Sequence, residues 1–106
     1  MTQKDYNIIK LIKTSVKAID PKAQVIIFGS RARGDAKKES DWDILILINS
    51  NKVTNEIEDI FRDKLYDIEL QSGQIISTFI YSKDYWENYL KYSPFYKKIN
   101  TEGVKL

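Results

Sequence analysis

Apolar residues recur at helical spacing along the first part of the chain. They are Ile8, Ile9, Leu11, Ile12, Val16 and Ile19. This period predicts an amphipathic helix over 3–19. Thr2, followed by Asp5 three residues later, is typical of a capping box, with Asp in place of the usual Glu. The Asp20-Pro21 pair ends the helix, because a residue before proline disfavours helical backbone angles.

Two short apolar runs come next, and both predict buried strands. The first covers 24–28 and the second covers 42–48. The second run is apolar at nearly every position, which is typical of a central strand covered on both faces. The residues between them predict a loop that opens with a helical turn at 30–33.

The segment 54–71 fits two interpretations. Its apolar residues recur at helical spacing, but Tyr66 to Leu70 alone also fits an alternating strand. Its length favours a helix, and Gly73 suits the position that follows a helix end. A third strand is then expected over 74–81.

Two further helices are expected after the third strand. Ser82 caps a short helix over 83–91, and Ser93-Pro94 starts another that ends near Gly103. The element order predicts a single α/β (α+β) domain over 1–106, with a small mixed sheet of three to four strands flanked by helices. The link between the second and third strands carries a helix, as a parallel pair requires.

The composition narrows the possible chemistry. The chain has 106 residues, no cysteine and no histidine. Disulfides, thiolate sites, His-ligated zinc and serine–histidine triads are therefore excluded. Any catalysis must use carboxylates, hydroxyls, lysines and arginines, with a hard cation as the partner of the carboxylates.

Charge and hydropathy bear on partners and location. The formal net charge of +2 gives no reason to expect a nucleic acid partner. No apolar run approaches the roughly 20 residues that span a bilayer, and the start of the chain lacks a signal-peptide pattern. A cytoplasmic protein without a membrane contact is therefore expected.

The loop after the first strand carries a candidate phosphate site. Gly29 and Ser30 follow that strand directly. Glycine lets a phosphate approach the backbone, and the serine hydroxyl adds a donor. If a helical turn starts there, its free N–H groups also favour an anion. Arg31 and Arg33 are expected to neutralise phosphate charge.

A carboxylate pair opens the second strand. Asp41 and Asp43 lie two residues apart and so share one face. Their mutual repulsion is relieved by protonation or by a cation, and oxygen ligands favour Mg²⁺ or Mn²⁺. Either signal alone more often marks an ordinary turn or strand entry. Gly-Ser, ten residues and Asp-x-Asp together are expected by chance in roughly one such sequence in five hundred.

The two motifs together resemble a known signature. Gly29-Ser30-Arg31-Ala32-Arg33-Gly34-Asp35 followed by Ser40-Asp41-Trp42-Asp43-Ile44 is similar to the signature of the DNA-polymerase-β-like nucleotidyltransferase superfamily. Within that superfamily, the chain is most similar to the minimal nucleotidyltransferase domains. The specific part of the resemblance covers 25–48. The remainder matches in element order and in an ending such as Glu102-Gly103-Val104.

This resemblance implies a reaction and a partner. Members transfer a nucleoside monophosphate from a triphosphate to a hydroxyl, and AMP from ATP is expected here. In some members the acceptor is a tyrosine of a HEPN-type toxin, which implies a toxin–antitoxin pair in a hetero-oligomer. By resemblance, Gly29 and Ser30 hold the triphosphate, and Asp41 and Asp43 are the catalytic ligands of Mg²⁺ or Mn²⁺.

The chain departs from the family at a third carboxylate. Active members usually carry it on the next strand, as a metal ligand and as the base for the acceptor hydroxyl. The strand expected over 74–81 contains no acid, and Ser77 lies near the position in question. Asp67 and Glu69 become candidates if that strand begins near residue 66. Without a third acid, the alternative is a catalytically weak nucleotide-binding or partner-binding antitoxin domain.

Aromatic residues crowd the last part of the chain. They are Tyr81, Tyr85, Trp86, Tyr89, Tyr92, Phe95 and Tyr96. Packing onto the sheet is the simpler expectation, and a partner surface is the alternative, because aromatic residues are enriched at interface cores. Base stacking with nucleic acid is a weaker third interpretation.

Overall fold

A computed structural model describes residues 1–106 and contains five helices and four strands. The helices are α1 (Gln3–Ile19), α2 (Ser30–Arg33), α3 (Asn55–Ser72), α4 (Lys83–Asn88) and α5 (Pro94–Glu102). The strands are β1 (Gln24–Phe28), β2 (Trp42–Ile48), β3 (Ile76–Ser82) and β4 (Val104–Lys105). The helix predicted over 3–19 and the strands predicted over 24–28 and 42–48 are confirmed. The ambiguous segment 54–71 is helical.

The strands form one mixed sheet in the order β3-β2-β1-β4. β1 is antiparallel to both β2 and β4, whereas β2 and β3 are parallel. Helix α3 provides the crossover that a parallel pair needs. The expectation of a small mixed sheet flanked by helices is therefore confirmed. The fourth strand is the C-terminal segment, whose two residues are too few to show a strand pattern.

Helices cover the sheet on both faces. Alternate residues of β2 separate into two hydrophobic clusters, with Ile44, Ile46 and Ile48 facing α1 and α3. Leu45 and Leu47 face the side of α4 and α5. The prediction of a central strand buried on both faces is thus confirmed. The Asp-x-Asp pair lies at the start of this strand, in which residues 44–48 are all buried.

Local interactions explain where the two long helices begin and end. At the start of α1, the Asp5 N–H donates to Thr2 Oγ1 at 3.1 Å, and the Thr2 N–H donates back to Asp5 Oδ2 at 3.2 Å. This reciprocal pair is the predicted capping box. At the end of α3, Gly73 has a φ of +72° and its N–H donates to Glu69 O at 2.9 Å. A left-handed residue of this kind ends a helix.

The C-terminal aromatic residues divide into two groups. Trp86 is buried, and Phe95 and Tyr96 pack beside it in the cluster below α4 and α5. Tyr89 and Tyr92 are exposed, at 74% and 82% of their surface. Packing onto the sheet therefore accounts for the first group, and the partner surface stays a prediction for the second.

None of the five helices combines the length and the apolar character required to cross a bilayer.

Candidate functional site

The turn at Gly29-Ser30, named the phosphate turn for the ligand expected there, meets Asp43 of the carboxylate pair at one end of the β1–β2 hairpin. Phe28, the last residue of β1, lies opposite Asp43 in the register. The next residue, Gly29, therefore lies against the Asp43 side chain. A Cβ atom on Gly29 would come within 2.2 Å of Asp43 Oδ2, and its φ of +74° also favours glycine. Only glycine allows this approach of the turn to the carboxylate.

Helix α2 begins directly after this glycine. The Ala32 and Arg33 N–H groups donate to Gly29 O at 3.1 and 3.0 Å, which closes a single helical turn. Ser30 opens the turn and is half-buried. The N–H groups of Ser30 and Arg31, which come before these two, have no carbonyl partner within the helix and are available to an acceptor at this point. The predicted Gly29, Ser30 and Asp43 are thus brought together.

The electrostatics of the pair disfavour two uncompensated negative charges. Burial raises the pKa of the Asp43 carboxyl, and the negative charge of Asp41 raises it further. Glu102 adds to this rise, while Lys98 and Arg33 oppose it. Asp41, the residue before β2, is exposed. A cation placed between the two carboxylates would relieve their repulsion.

The donor set fits a hard divalent cation. No three carboxylates of the chain lie close enough together to share a metal ion. Asp41 and Asp43 therefore offer two carboxylates and no nitrogen or sulfur ligand. Mg²⁺ usually keeps several waters and binds through one or two carboxylates plus substrate phosphates. A pair beside a phosphate turn matches that requirement.

The structure does not bring Asp67 or Glu69 to this pair. Both lie on α3, because the segment is helical and the strand does not begin near residue 66. Asp67 is exposed. Glu69 Oε2 accepts the Ile76 N–H at 3.0 Å. The position opposite Asp43 on β3 is occupied by Ser77, so no third carboxylate stands on that strand.

The two predicted phosphate-binding arginines have different environments. Arg31 is only 8% exposed, and its guanidinium donates to Ser40 O at 2.9 Å, inside the protein. The Arg31 guanidinium is therefore not exposed at the candidate site. Arg33 is exposed, and its Nη1 donates to Glu102 Oε2 at 2.8 Å. Of the two, Arg33 is the one accessible to a ligand.

Glu102 is a site residue that the sequence did not assign. Its Oε2 accepts the Gly29 N–H at 2.9 Å as well as the Arg33 guanidinium. The carboxylate thus holds the phosphate turn from the far end of the chain. Gly103 follows it, and a Cβ there would come within 2.5 Å of Ile99 O. In the sequence, the Glu102-Gly103-Val104 ending was part of the family resemblance, but it indicated no role for Glu102.

A family model and a relative match most of the chain. Residues 9–104 match the family model of the nucleotidyltransferase domain. A protein of Methanocaldococcus jannaschii named "Putative protein adenylyltransferase MJ0141" is 39% identical over 83 residues, covering 72% of this chain and 78% of that protein.

A solved structure has the same fold. It is a crystal structure of a toxin–antitoxin with AMP-PNP, with a TM-score of 0.58 and 18% identity. The match covers 98% of this chain and 72% of the other. At this identity, the likeness shows the fold alone.

Proposed function

Because the chain belongs to the family of nucleotidyltransferase domains, we propose that it transfers AMP from ATP to a hydroxyl group of a protein partner, with Mg²⁺ or Mn²⁺. The observation that carries this proposal is the contact of Gly29 with Asp43. It brings Gly29, which opens the proposed phosphate site, against Asp43, one of the two proposed metal ligands. Phosphoryl transfer depends on such positioning more than on covalent chemistry.

Each residue of the site has a role in this reaction. Ser30 and the first N–H groups of α2 bind phosphate oxygens, and Arg33 neutralises phosphate charge at the exposed mouth. Asp41 and Asp43 would hold the divalent cation, which would supply positive charge to offset the negative charge of the phosphates. The acceptor oxygen bonds to the α-phosphorus as the bond to pyrophosphate breaks, and the hydroxyl proton passes to water or to a carboxylate.

The proposed acceptor is a tyrosine on a HEPN-type toxin, with the two proteins forming a toxin–antitoxin pair. Two observations support a protein partner. The Methanocaldococcus jannaschii relative is named as a protein adenylyltransferase, and a protein of the same fold occurs in a toxin–antitoxin structure with AMP-PNP. The partner surface proposed from the aromatic residues includes the exposed Tyr89 and Tyr92.

A second function is favoured by one specific observation. Ser77 occupies the place opposite Asp43 where active members usually carry the third carboxylate. Without that acid, metal binding is weaker and the acceptor lacks a base on β3. The alternative is therefore an antitoxin that binds the nucleotide and its partner without turnover.

Calorimetric titration of ATP with Mg²⁺ tests the site. The variants are Asp41→Asn/Asp43→Asn and, as a matched control, Asp67→Asn, which removes an exposed carboxylate on α3. We expect Mg²⁺ to strengthen ATP binding by the wild type and the control, and to leave ATP binding by the double variant unchanged. Equal binding in all three would refute the site assignment.

Incubation with the neighbouring gene's product tests the reaction. Pyrophosphate release, together with a mass increase of the partner by AMP units, supports the transferase. A Tyr→Phe change at the modified position of the partner should abolish that increase. Nucleotide binding without pyrophosphate release would favour the antitoxin without turnover.

A further inference from the structure

Arg31 is the only charged side chain that is buried in this protein. It directly follows Ser30 in the phosphate turn, yet its guanidinium points into the protein. Its Nη2 donates to Ser40 O at 2.9 Å and to Lys38 O at 3.3 Å, and its Nε also donates to Ser40 O at 3.3 Å. Its Cζ lies 4.5 Å from the centre of the Trp42 ring. Arg31 therefore contacts the residues on both sides of Asp41.

These contacts are the main attachment of the loop 36–41. Within the loop, Lys37 N–H donates to Ser40 Oγ at 2.8 Å and Ser40 N–H donates to Lys37 O at 3.0 Å. Every hydrogen bond that joins the loop to the remainder of the chain comes from Arg31. Asp41, the last residue of this loop, thus lies between Ser40, which Arg31 holds, and Trp42, whose N–H donates to Ile75 O at 2.8 Å.

The guanidinium is itself held from two other elements. Its Nη2 donates to Gln74 Oε1 at 3.1 Å, just before β3, and its Nη1 lies 3.4 Å from Asp5 Oδ1 in the first turn of α1. A planar group with five fixed donors can make such a set of contacts, whereas a lysine ammonium cannot. Asp5 of α1 and Gln74 before β3 therefore fix the position of the guanidinium, and the guanidinium fixes the position of the loop.

We propose that Arg31 is a positioning residue that holds Asp41 beside Asp43 by clamping the loop 36–41, and that it does not bind phosphate. The role in metal binding rests on the proposed function, in which Asp41 is a metal ligand. Arg31 then links the two halves of the site, because it leaves the phosphate turn at one end and fixes the carboxylate loop at the other. Residues that orient metal ligands typically change metal affinity by about 10–100-fold when mutated.

The test compares Arg31→Lys with Arg33→Lys, a matched change two residues away on the exposed side of α2. Mn²⁺ affinity is measured by the electron paramagnetic resonance of free Mn²⁺. ATP affinity is measured separately in EDTA. We expect Arg31→Lys to weaken Mn²⁺ binding by about tenfold or more and to leave ATP binding in EDTA within twofold of the wild type. Arg33→Lys should weaken ATP binding in EDTA and leave Mn²⁺ affinity unchanged.

Weaker ATP binding in EDTA by Arg31→Lys would make Arg31 a phosphate ligand and overturn the proposal. Unchanged Mn²⁺ affinity would overturn it as well. Hydrogen exchange separates this failure from failure of the proposed function, because it needs neither metal nor nucleotide. We expect faster exchange over 36–42 in Arg31→Lys only. If the wild type binds no Mn²⁺, the proposed function fails, while exchange over 36–42 still decides whether Arg31 clamps the loop.

The wild-type protein provides a measurement that does not depend on a folded variant. Buried, hydrogen-bonded guanidinium protons exchange slowly with water. The Arg31 Nη–H signals should therefore persist in NMR spectra in which those of Arg33 are exchange-broadened. Arg31 signals that exchange as fast as those of Arg33 would show that the clamp does not exist.

Discussion

The close approach of Gly29 to Asp43 predicts that even the smallest side chain at position 29 is costly. In Gly29→Ala, the new Cβ would meet Asp43 Oδ2 at 2.2 Å and Asp43 Cγ at 3.1 Å. The backbone there has φ +74° and ψ −159°, a region that is almost confined to glycine. The substitution therefore adds a steric collision to backbone strain.

Gly34→Ala separates these two effects. Gly34 also has a positive φ, +85°, but a Cβ there would meet nothing within 4 Å. Strain alone should cost about 1–2 kcal/mol at position 34. At position 29, strain of about 1–3 kcal/mol and displacement of a half-buried carboxylate should together cost about 3–4 kcal/mol.

Urea unfolding monitored by tryptophan fluorescence measures both losses, and a thermal scan should show the same order. For a domain of this size each kcal/mol corresponds to roughly 4–8 °C in Tm. ATP binding with Mg²⁺ should be lost in Gly29→Ala and kept in Gly34→Ala. Equal destabilisation of the two variants would refute the contact between Gly29 and Asp43.

A double-mutant cycle gives the sharper result. Asp43→Ala removes the Oδ2 and Cγ atoms with which the new Cβ collides, and leaves the backbone strain in place. Gly29→Ala should therefore cost about 1–2 kcal/mol less in the Asp43→Ala background than in the wild type. Strictly additive losses would mean that strain accounts for the whole effect.

Three further predictions concern charge and capping. In EDTA at neutral pH, Asp43→Asn should keep or raise stability by a few tenths of a kcal/mol, because burial and Asp41 raise the Asp43 pKa. The free energy of unfolding of the wild type should therefore fall as the pH rises through that raised pKa, whereas that of the variant should not. Urea titrations at several pH values measure this difference. Glu102→Gln should lower the Asp43 pKa in an NMR titration, because Glu102 is one cause of the rise. An unchanged pKa would contradict the proximity of the two carboxylates. Thr2→Ala should cost about 1 kcal/mol in urea unfolding, since it removes the cap of α1. A loss near zero would show that the cap frays in solution.

The elements that carry the site were predictable from the sequence because their causes are local. An apolar run at 24–28, a glycine after it and a second apolar run at 42–48 are each visible within a few residues. So is the capping box at Thr2, which needs only residues three apart. The spacing of the Gly29-Ser30 and Asp41-x-Asp43 motifs then follows from an antiparallel hairpin, in which neighbouring strand ends meet.

The identity of the side chains that complete the site depended on contacts between distant parts of the chain. Arg31 looks like a phosphate ligand in the sequence, but contacts with Asp5 of α1 and with Gln74, two residues before β3, hold its guanidinium inside the protein. Glu102 reaches the Gly29 N–H across 73 positions because Gly103 lets the chain pass from α5 into β4. Ser77 stands opposite Asp43 through the register of a parallel pair joined by a whole helix.

One physical reason separates the features that the sequence predicts from those that only the structure shows. Propensity, capping and hydrophobic period act between residues that are near one another in the chain, so the sequence by itself determined the five helices, the first three strands and the two motifs. Burial, register and side-chain direction are set by many contacts between residues that are distant in the sequence, so no single segment reveals them. Only the tertiary structure therefore decided that Arg31 faces the loop, that Glu102 holds the turn, and that β3 brings no acid to the pair.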